Sequence, residues 1–257
     1  MDVTRGGFPA DAAPFSRNSP PDTPAVFDTM PEPTSGGDVA VLMSGGVDSA
    51  VLCIDLVTRG QRVFPLYVRF GLRWEEAELA SVGNFLQAVE RPGLMPLSIL
   101  EEPVADVYGP HWSTGGSPVP DAESDDEAVY LPGRNVLLVA KAAVWCLLRD
   151  IDALALGCLR SNPFPDSTPA FFRELQSVLN MAMNGRIRLI RPLEACRKED
   201  VIRKGIDLPL RHTFSCLSPV GDLHCGLCNK CAERRRGFRK AGVADETPYA
   251  ASFAATP

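Results

Sequence analysis

The sequence lacks several features that would assign a class of protein at once. It has no stretch of about 18 apolar residues, as a membrane-spanning helix would need, and no apolar core of a signal peptide near its N-terminus. It also has no excess of positive charge, because 26 Lys and Arg residues are outnumbered by 32 Asp and Glu residues, for a net charge of −6. We therefore expect a cytoplasmic protein that neither enters a membrane nor binds nucleic acid directly through a broad basic surface.

The Gly-Lys-Ser/Thr of the Walker phosphate loop is also missing, but another phosphate-binding pattern is present. An apolar run at 39–43 is followed by Ser-Gly-Gly-Val-Asp-Ser at 44–49 and then by a helix-like apolar segment. Paired glycines let consecutive backbone N–H groups face an anion, and the start of the helix adds the positive end of its dipole. The pattern predicts a pyrophosphate loop, and the alternative is a plain glycine turn between a strand and a helix. The predicted nucleotide-binding residues are Met43, Ser44, Gly45, Gly46, Val47, Asp48 and Ser49.

Four of the eight cysteines form a Cys-x8-Cys-x2-Cys-x2-Cys array, called here the four-cysteine cluster: Cys216, Cys225, Cys228 and Cys231. Four thiolates suit a closed tetrahedral zinc site with a structural role. The neighbouring His224 is a competing ligand, and an iron–sulfur cluster is an alternative. Disulfides are disfavoured because nothing marks the chain as secreted. The array therefore predicts a structural Zn²⁺.

The order of apolar runs and amphipathic segments predicts the fold class. Strands are predicted at 39–43, 62–69, 94–100 and 153–157, and helices at 49–59, 75–89, 134–149, 171–183 and 198–204. This alternation is typical of an α/β fold with a doubly wound, mostly parallel sheet, whose ligands bind at the carboxyl ends of the strands.

Composition divides the chain into four predicted segments. Residues 1–37 form a Pro-rich leader that we expect to be disordered, and 38–210 form the α/β domain that binds ATP. A C-terminal zinc-binding helical segment follows at 211–241, and 242–257 is predicted to be a loose tail. A Gly/Pro/Asp/Ser-rich insertion at 109–127 is predicted to be a mobile loop near the site.

Taken together, these motifs resemble the 7-cyano-7-deazaguanine synthase family of the PP-loop ATP pyrophosphatases. The resemblance extends over about residues 38–240 and depends on segments in a fixed order. These segments are 44–49, Leu-Pro-Gly-Arg-Asn at 131–135, Phe-Pro-Asp at 164–166, Pro-Leu at 192–193 with Lys198, and the four-cysteine cluster. The resemblance implies the Rossmann-type fold of the adenine nucleotide alpha hydrolases and a homodimer.

The resemblance also implies a reaction. Family members use ATP to adenylate the carboxylate of 7-carboxy-7-deazaguanine, and ammonia then converts it towards the nitrile, in the biosynthesis of queuosine. Such chemistry needs positioning and charge neutralisation rather than a covalent nucleophile. The implied catalytic residues are Asp48, acting with Mg²⁺, together with Arg134 and Lys198. Arg134, Asn135 and Asp166 are the implied substrate-binding residues.

Departures from the family pattern leave alternatives open. Trp74 stands where the family carries a histidine, and Gly157–Asn162 differs from the family's acidic, Gly-rich segment. One alternative is a divergent PP-loop enzyme that adenylates another acceptor, for tRNA sulfur transfer or for joining a deazapurine to a macromolecule. Sulfur transfer would need an activated cysteine outside the four-cysteine cluster, for which Cys158 is the candidate. Another alternative is a module that senses ATP without catalysis.

Overall fold

The computed structural model describes residues 36–251. All but the end of the predicted leader, and the tail beyond 251, therefore lie outside the described residues. The strands are β1 (Asp38–Leu42), β2 (Arg62–Arg69), β3 (Ser98–Glu101), β4 (Ala153–Ala155) and β5 (Arg188–Ile190). The helices are α1 (Val47–Thr58), α2 (Glu75–Ala88), α3 (Ala105–Tyr108), α4 (Arg134–Leu147), α5 (Pro169–Met183), α6 (Lys198–Lys204) and α7 (Asn229–Ala241). Short 3-10 helices occur at Asp126–Val129, Pro165–Ser167 and Leu210–His212.

The strands form one parallel sheet in the order β3-β2-β1-β4-β5. Along the central strand β1, Ala40 and Leu42 pack in a core with α4 and α5, whereas Val39 and Val41 pack in a second core with α1, α6 and α7. Both faces of the sheet are therefore covered by helices at its centre, which explains the apolar runs of the central strands β1 and β4. The predicted doubly wound α/β fold is confirmed.

The direction in which successive strands are added to the sheet reverses at β1, because β2 lies on one side of it and β4 on the other. Ligands of open α/β sheets bind at the carboxyl ends of the strands beside such a switch point. The segment 43–46, between β1 and α1, lies at this edge. The fold alone therefore places the predicted pyrophosphate loop where a ligand is expected.

Some predicted boundaries differ from the structure. The third strand begins at Ser98 rather than at Leu94, which forms only an isolated bridge with Val63. Helix α5 begins at Pro169, because the hydroxyl of Thr168 accepts a hydrogen bond from the Phe171 backbone N–H at 3.1 Å and caps it. No strand was predicted at β5. In the described part of the chain, no helix combines the length and apolarity needed to cross a membrane.

Candidate active site and metal centre

The predicted pyrophosphate loop is held in shape by its two serines. The backbone N–H of Ser44 donates to Oγ of Ser49 at 3.2 Å, and this hydroxyl donates to the carbonyl of Gly46 at 3.1 Å. Gly46 is the residue before helix α1. The loop therefore closes on itself across the first turn of α1, whose unbonded N–H groups and dipole favour an anion.

Position 45 requires a glycine, both because of its backbone conformation and because of the atoms that surround it. Its φ of +68° is in the left-handed region that favours glycine, and a Cβ there would lie 2.5 Å from Cγ of Glu78. The carbonyl of Gly45 accepts a hydrogen bond from the Phe214 backbone N–H at 2.7 Å. The loop is thus fixed between helix α2 and the segment that leads into the four-cysteine cluster.

Asp48 and Lys198 form an ion pair beside this loop. The ammonium of Lys198, the first residue of α6, lies 2.8 Å from Oδ2 of Asp48 in the first turn of α1. The other carboxylate oxygen of Asp48, Oδ1, is buried and has no hydrogen-bond partner among residues 36–251. An unpartnered carboxylate oxygen at this position has the chemistry of a Mg²⁺ ligand.

A cavity of about 250 Å³ opens at the carboxyl edge of the sheet. Four groups of residues line it. The first group is the predicted pyrophosphate loop, called here the phosphate loop, with its ion pair: Ser44, Gly46, Val47, Asp48 and Lys198. The second group is an aromatic wall formed by Trp74, Trp112 and Phe164, and the third consists of the charged residues Glu78, Arg134, Lys230, Glu233 and Arg234. The fourth group is the segment at the start of the four-cysteine cluster: Phe214, Ser215, Cys216 and Leu217. Val129, Leu131 and Asn162 complete the lining.

The structure brings most of the predicted catalytic and nucleotide-binding residues to this cavity. Asp48, Arg134 and Lys198 all line it. The Nε atom of Arg134 is buried without a hydrogen-bond partner in the described chain, which leaves this donor of the guanidinium unsatisfied. Met43, Gly45 and Ser49 lie behind the loop and support it rather than line the cavity.

Asn135 and Asp166, two of the three predicted substrate-binding residues, bind each other beside the cavity. Oδ2 of Asp166 accepts a hydrogen bond from the Asn135 backbone N–H at 3.2 Å, and Nδ2 of Asn135 donates to the Asp166 carbonyl at 2.8 Å. Asp166 thus caps the N-terminus of α4, which begins at Arg134. The pair fixes the helix from which Arg134 reaches the cavity, and neither residue lines it.

The pairing of Trp74 with Trp112 in the aromatic wall was not predicted. The indole rings of Trp74 and Trp112 stack with centroids 5.7 Å apart and an interplanar angle of 19°. Trp112 comes from the insertion at 109–127, which Arg73 fastens by donating to the carbonyls of Trp112 and Gly116 at 3.3 and 3.1 Å. Flat stacked rings at a cavity wall suit a planar heterocycle. A glycine- and proline-rich insertion carries no sequence signal for such a role.

The candidate metal centre consists of the four predicted cysteines. Their Sγ atoms are buried and lie within 4.8 Å of one another. The distance is 3.5 Å from Cys228 to Cys231, 3.9 Å from Cys225 to Cys231 and 4.0 Å from Cys228 to Cys216. Four sulfurs at about 2.3 Å from one tetrahedral ion would be about 3.8 Å apart. The four-cysteine cluster therefore fits a metal ion and contains no disulfide.

Backbone geometry supports this site. The N–H groups of Cys225, Leu217 and Leu227 donate to cluster sulfurs at 3.2–3.4 Å, which stabilises thiolates. His224 is not a ligand, because its Nε2 accepts a hydrogen bond from the Ser215 backbone N–H at 3.2 Å. Burial, with the nearby Arg234 charge, lowers the pKa of His224 to about 3, so the ring is neutral and able to accept.

The tail predicted to be loose is packed as far as it is described. Buried Arg234 of α7 donates to Oγ1 of Thr247 at 2.6 Å and lies 3.8 Å from Asp245. The Ala250 backbone N–H donates to the carbonyl of His224 at 2.8 Å. The prediction is therefore corrected for residues 243–251. The prediction failed for a physical reason. The buried guanidinium of Arg234 needs polar partners, and the composition of the tail does not indicate that it supplies them.

Cys158, the candidate for sulfur transfer, is not an activated thiol. Burial raises its pKa to about 12, and the positive charge of Arg191 offsets only part of this effect. The thiol is therefore protonated near neutral pH, whereas a sulfur-carrying cysteine needs the thiolate. Cys158 also does not line the cavity.

Residues 38–242 match the family described as "Queuosine biosynthesis protein QueC". Curated relatives carry the name 7-cyano-7-deazaguanine synthase. The protein from Methanosphaerula palustris is 31% identical over 220 residues, which cover 81% of this chain and 97% of the relative. The one from Koribacter versatilis is 31% identical over 231 residues, covering 85% and 95%. The one from Xanthomonas oryzae pv. oryzae is 31% identical over 221 residues, covering 82% and 96%.

Two solved structures show a more distant similarity to this chain. The U34-tRNA thiolase NcsA of Methanococcus maripaludis, solved with its [4Fe-4S] cluster, is 15% identical with a TM-score of 0.46, over 87% of this chain and 79% of that one. A 4-thiouridine synthetase–RNA complex with bound ATP is 16% identical with a TM-score of 0.48, over 80% and 50%.

Proposed function

Because the chain belongs to the QueC family of queuosine biosynthesis proteins, we propose that it converts 7-carboxy-7-deazaguanine to 7-cyano-7-deazaguanine with ATP and ammonia. The named relatives match over nearly their whole length. The observation that carries the proposal is that one cavity contains both the phosphate loop and the stacked Trp74–Trp112 wall. A reaction between ATP and a planar acid requires these two kinds of surface side by side.

The chemistry explains why ATP is needed. A carboxylate is a poor electrophile until one of its oxygens becomes part of a leaving group. Attack of the carboxylate on the α-phosphate of ATP forms an acyl adenylate and releases pyrophosphate. Ammonia displaces AMP to form the amide, and adenylation of the amide oxygen by a second ATP allows loss of AMP to leave the nitrile.

The residues of the cavity divide this work by position. The loop N–H groups and the Ser44 hydroxyl bind the departing pyrophosphate, as anions bind at other helix N-termini. Lys198 neutralises phosphate charge from beside the loop, and its pairing with Asp48 holds it there. Arg134, whose Nε is unpartnered in the described chain, neutralises the carboxylate or the α-phosphate. Catalysis is therefore mainly preorganised charge and position. Asn135 and Asp166 act by fixing the N-terminus of α4.

Mg²⁺ is the metal ion that fits the part of the cavity beside the phosphate loop. Asp48 Oδ1 would hold it, since that oxygen is buried without a partner in the described chain. Bound there, Mg²⁺ would supply charge neutralisation for the phosphates. The remaining residues of the loop bind and orient ATP whether or not Asp48 also holds the ion.

Zn²⁺ is the proposed occupant of the four-cysteine cluster, with a structural role. Four cysteines complete its tetrahedral shell and leave no position for a reactive water. The cluster instead fixes the cavity wall, because Cys216 and Leu217 line the cavity and α7 begins within the cluster. From α7, Lys230 and Glu233 reach the same cavity, where they form an ion pair.

A homodimer is also part of the proposal. Several apolar side chains of α4 and α5 are exposed in the single chain, among them Val144 at 45%, Val178 at 55% and Met181 at 74%. Such a surface suits a partner copy. Sedimentation of the purified chain at micromolar concentration would show a dimer, and a monomer would contradict this part.

The experiment that tests the proposed function measures the products formed from ATP. Purified zinc-loaded chain is incubated with ATP, Mg²⁺ and ammonia, with and without 7-carboxy-7-deazaguanine. We expect AMP and pyrophosphate only when the acid is present. Cleavage of ATP that does not depend on 7-carboxy-7-deazaguanine would indicate another acceptor. Binding of ATP without its cleavage would indicate an ATP-sensing module. Sulfur transfer is disfavoured by the protonated thiol of Cys158.

A further inference from the structure

Glu78 is a buried carboxyl group at the cavity wall that the mechanism above does not use. It is 7% exposed, lines the cavity and packs against the phosphate loop at Gly45. Its Oε2 accepts a hydrogen bond from the Tyr67 hydroxyl at 2.6 Å. Its Oε1 has no hydrogen-bond partner in the described chain, and the side chain lies in the lining of the cavity.

The other carboxyl groups around the cavity already form ion pairs or hydrogen bonds within the described chain. Asp48 pairs with Lys198, Glu233 pairs with Lys230, and Asp166 caps α4. Glu78 forms no salt bridge among residues 36–251. Unlike Asp48 and Glu233, it lines the cavity without a cation paired to it in the described chain.

The charged and titratable groups that face Glu78 come from three elements. Tyr67 lies on β2, Arg134 on α4 and Glu75 on α2 itself, while the phosphate loop contributes only uncharged Gly45. Burial raises the pKa of Glu78 to about 7, although the charge of Arg134 and the hydrogen bond from Tyr67 act to lower it. Burial also raises the pKa of Tyr67, so its hydroxyl keeps its proton and remains the donor. A carboxyl group with these properties exchanges a proton near neutral pH.

We propose that Glu78 is the general base that accepts the protons lost by the reacting nitrogen. This proposal rests on the proposed function and names a residue for a step that function leaves unassigned. In the first half-reaction, ammonia adds to the acyl adenylate. An N–H proton then passes to Oε1 of Glu78, its electron pair stays on nitrogen, and the carbon–oxygen bond to AMP breaks to give the amide.

The second half-reaction also requires a base, and Glu78 again accepts the proton. The adenylated amide carries two N–H protons and first releases one of them to Glu78 and from there to solvent. It then loses the last N–H proton to Glu78 while the carbon–oxygen bond to AMP breaks, and the N–H electron pair becomes part of the nitrile triple bond. Between the two steps Glu78 must return its proton to solvent, which a pKa near 7 permits. One base at a fixed place in the cavity thus serves both eliminations of AMP.

The test compares Glu78→Gln with wild type in the full chain loaded with zinc. Glu76→Gln is the matched control, since Glu76 lies on the same helix with its side chain 81% exposed. Acid-dependent exchange of labelled pyrophosphate into ATP reports adenylation alone, and mass spectrometry reports amide and nitrile. We expect Glu78→Gln to keep exchange within about threefold of wild type and to lose about 100-fold or more in amide and nitrile formation.

Two further measurements separate a base from a structural role. Hydroxylamine is neutral near neutral pH and a stronger nucleophile, so it should form hydroxamate with Glu78→Gln at a rate much nearer that of wild type. In Tyr67→Phe the carboxyl loses a hydrogen bond that lowers its pKa. The pKa of Glu78 should then rise, and the rising limb of the pH–rate profile should move to higher pH. This variant keeps the test decisive if Glu78→Gln does not fold.

The outcomes are distinct. A wild-type chain without acid-dependent exchange would overturn the proposed function, and this proposal with it. Wild-type exchange, together with undiminished nitrile formation by Glu78→Gln or an unmoved pH profile in Tyr67→Phe, would overturn this proposal alone. Equal losses of exchange and of nitrile would also overturn it, because they indicate that Glu78 supports the loop and not the nitrogen chemistry.

Discussion

The ammonium of Lys198 lies 2.8 Å from Oδ2 of Asp48, although the two residues are 150 positions apart in the sequence. The contact joins the first turn of α6 to the first turn of α1, beside the phosphate loop. A cation held there by a carboxylate is preorganised for phosphate, so little ordering is left for the moment of binding. The ion pair therefore brings α6 to the proposed nucleotide site.

Replacing Lys198 should separate this role from general stability. We expect Lys198→Met to reduce acid-dependent AMP formation by about 100-fold, because one positioned cation at the developing charge is lost. Lys204→Met is the matched control, since Lys204 lies on the same helix and pairs with Asp55 at 2.7 Å. It does not line the cavity, and its rate should stay within about twofold of wild type. Equal rates for both variants would contradict the role given to Lys198.

Gly45 should tolerate substitution less well than another glycine with a similar backbone. Gly45→Ala adds a Cβ that would lie 2.5 Å from Glu78 Cγ, at a φ of +68°. Gly60→Ala has a φ of +83° but open space around the added atom. Both variants bear backbone strain, and only the first adds overpacking of about 1–3 kcal/mol. Urea unfolding should show that difference, and similar losses of stability would mean that the loop can move away from α2.

The four-cysteine cluster should couple metal content to folding. Cys228→Ser removes one of four thiolate ligands, and we expect loss of the bound metal together with a large fall in thermal stability. Cys158→Ser is the control, because that thiol lies outside the cluster and is protonated near neutral pH. It should keep one metal per chain and its activity. Elemental analysis of both proteins tests this, and a stable, metal-free, active Cys228→Ser would contradict the structural role.

The packed tail should contribute measurable stability. Ending the chain after Gly242 removes Thr247 and Asp245, the partners that the tail presents to buried Arg234. Leaving that guanidinium partly unpaired should cost about 3 kcal/mol in the free energy of unfolding. A chain ending after Ala251 keeps both partners and should match the full chain. Equal stability of the two truncated chains would restore the prediction of a loose tail.

Local sequence patterns predicted much of this molecule for a clear reason. The strand–loop–helix geometry around 44–49 and the gathering of the four cysteines are encoded in short stretches of sequence, so spacing alone predicts them. The strands were recognisable because burial on both faces leaves an unbroken apolar run. Short β5 was missed because three residues carry too little pattern to separate a strand from a loop.

The features that the sequence did not reveal depend on contacts between distant segments. Asp166 was predicted to bind substrate, and only the structure shows that it caps α4, which begins 32 positions earlier. Glu78 reads as one of several acids at the start of α2, and its burial against Gly45 follows from helix packing. Trp112 reaches the cavity from an insertion without periodicity. Charge and aromatic character alone do not reveal burial.

One experiment can follow the nitrogen atom and the fate of ATP together. The zinc-loaded chain is incubated with 7-carboxy-7-deazaguanine, ATP, Mg²⁺ and ¹⁵N-labelled ammonia, and the products are resolved by mass spectrometry. The account predicts 7-cyano-7-deazaguanine carrying one ¹⁵N atom, with two AMP formed for each nitrile because the acid and the amide are each adenylated. Acid-dependent AMP release with no labelled nitrile, or release of ADP in place of AMP, would contradict it.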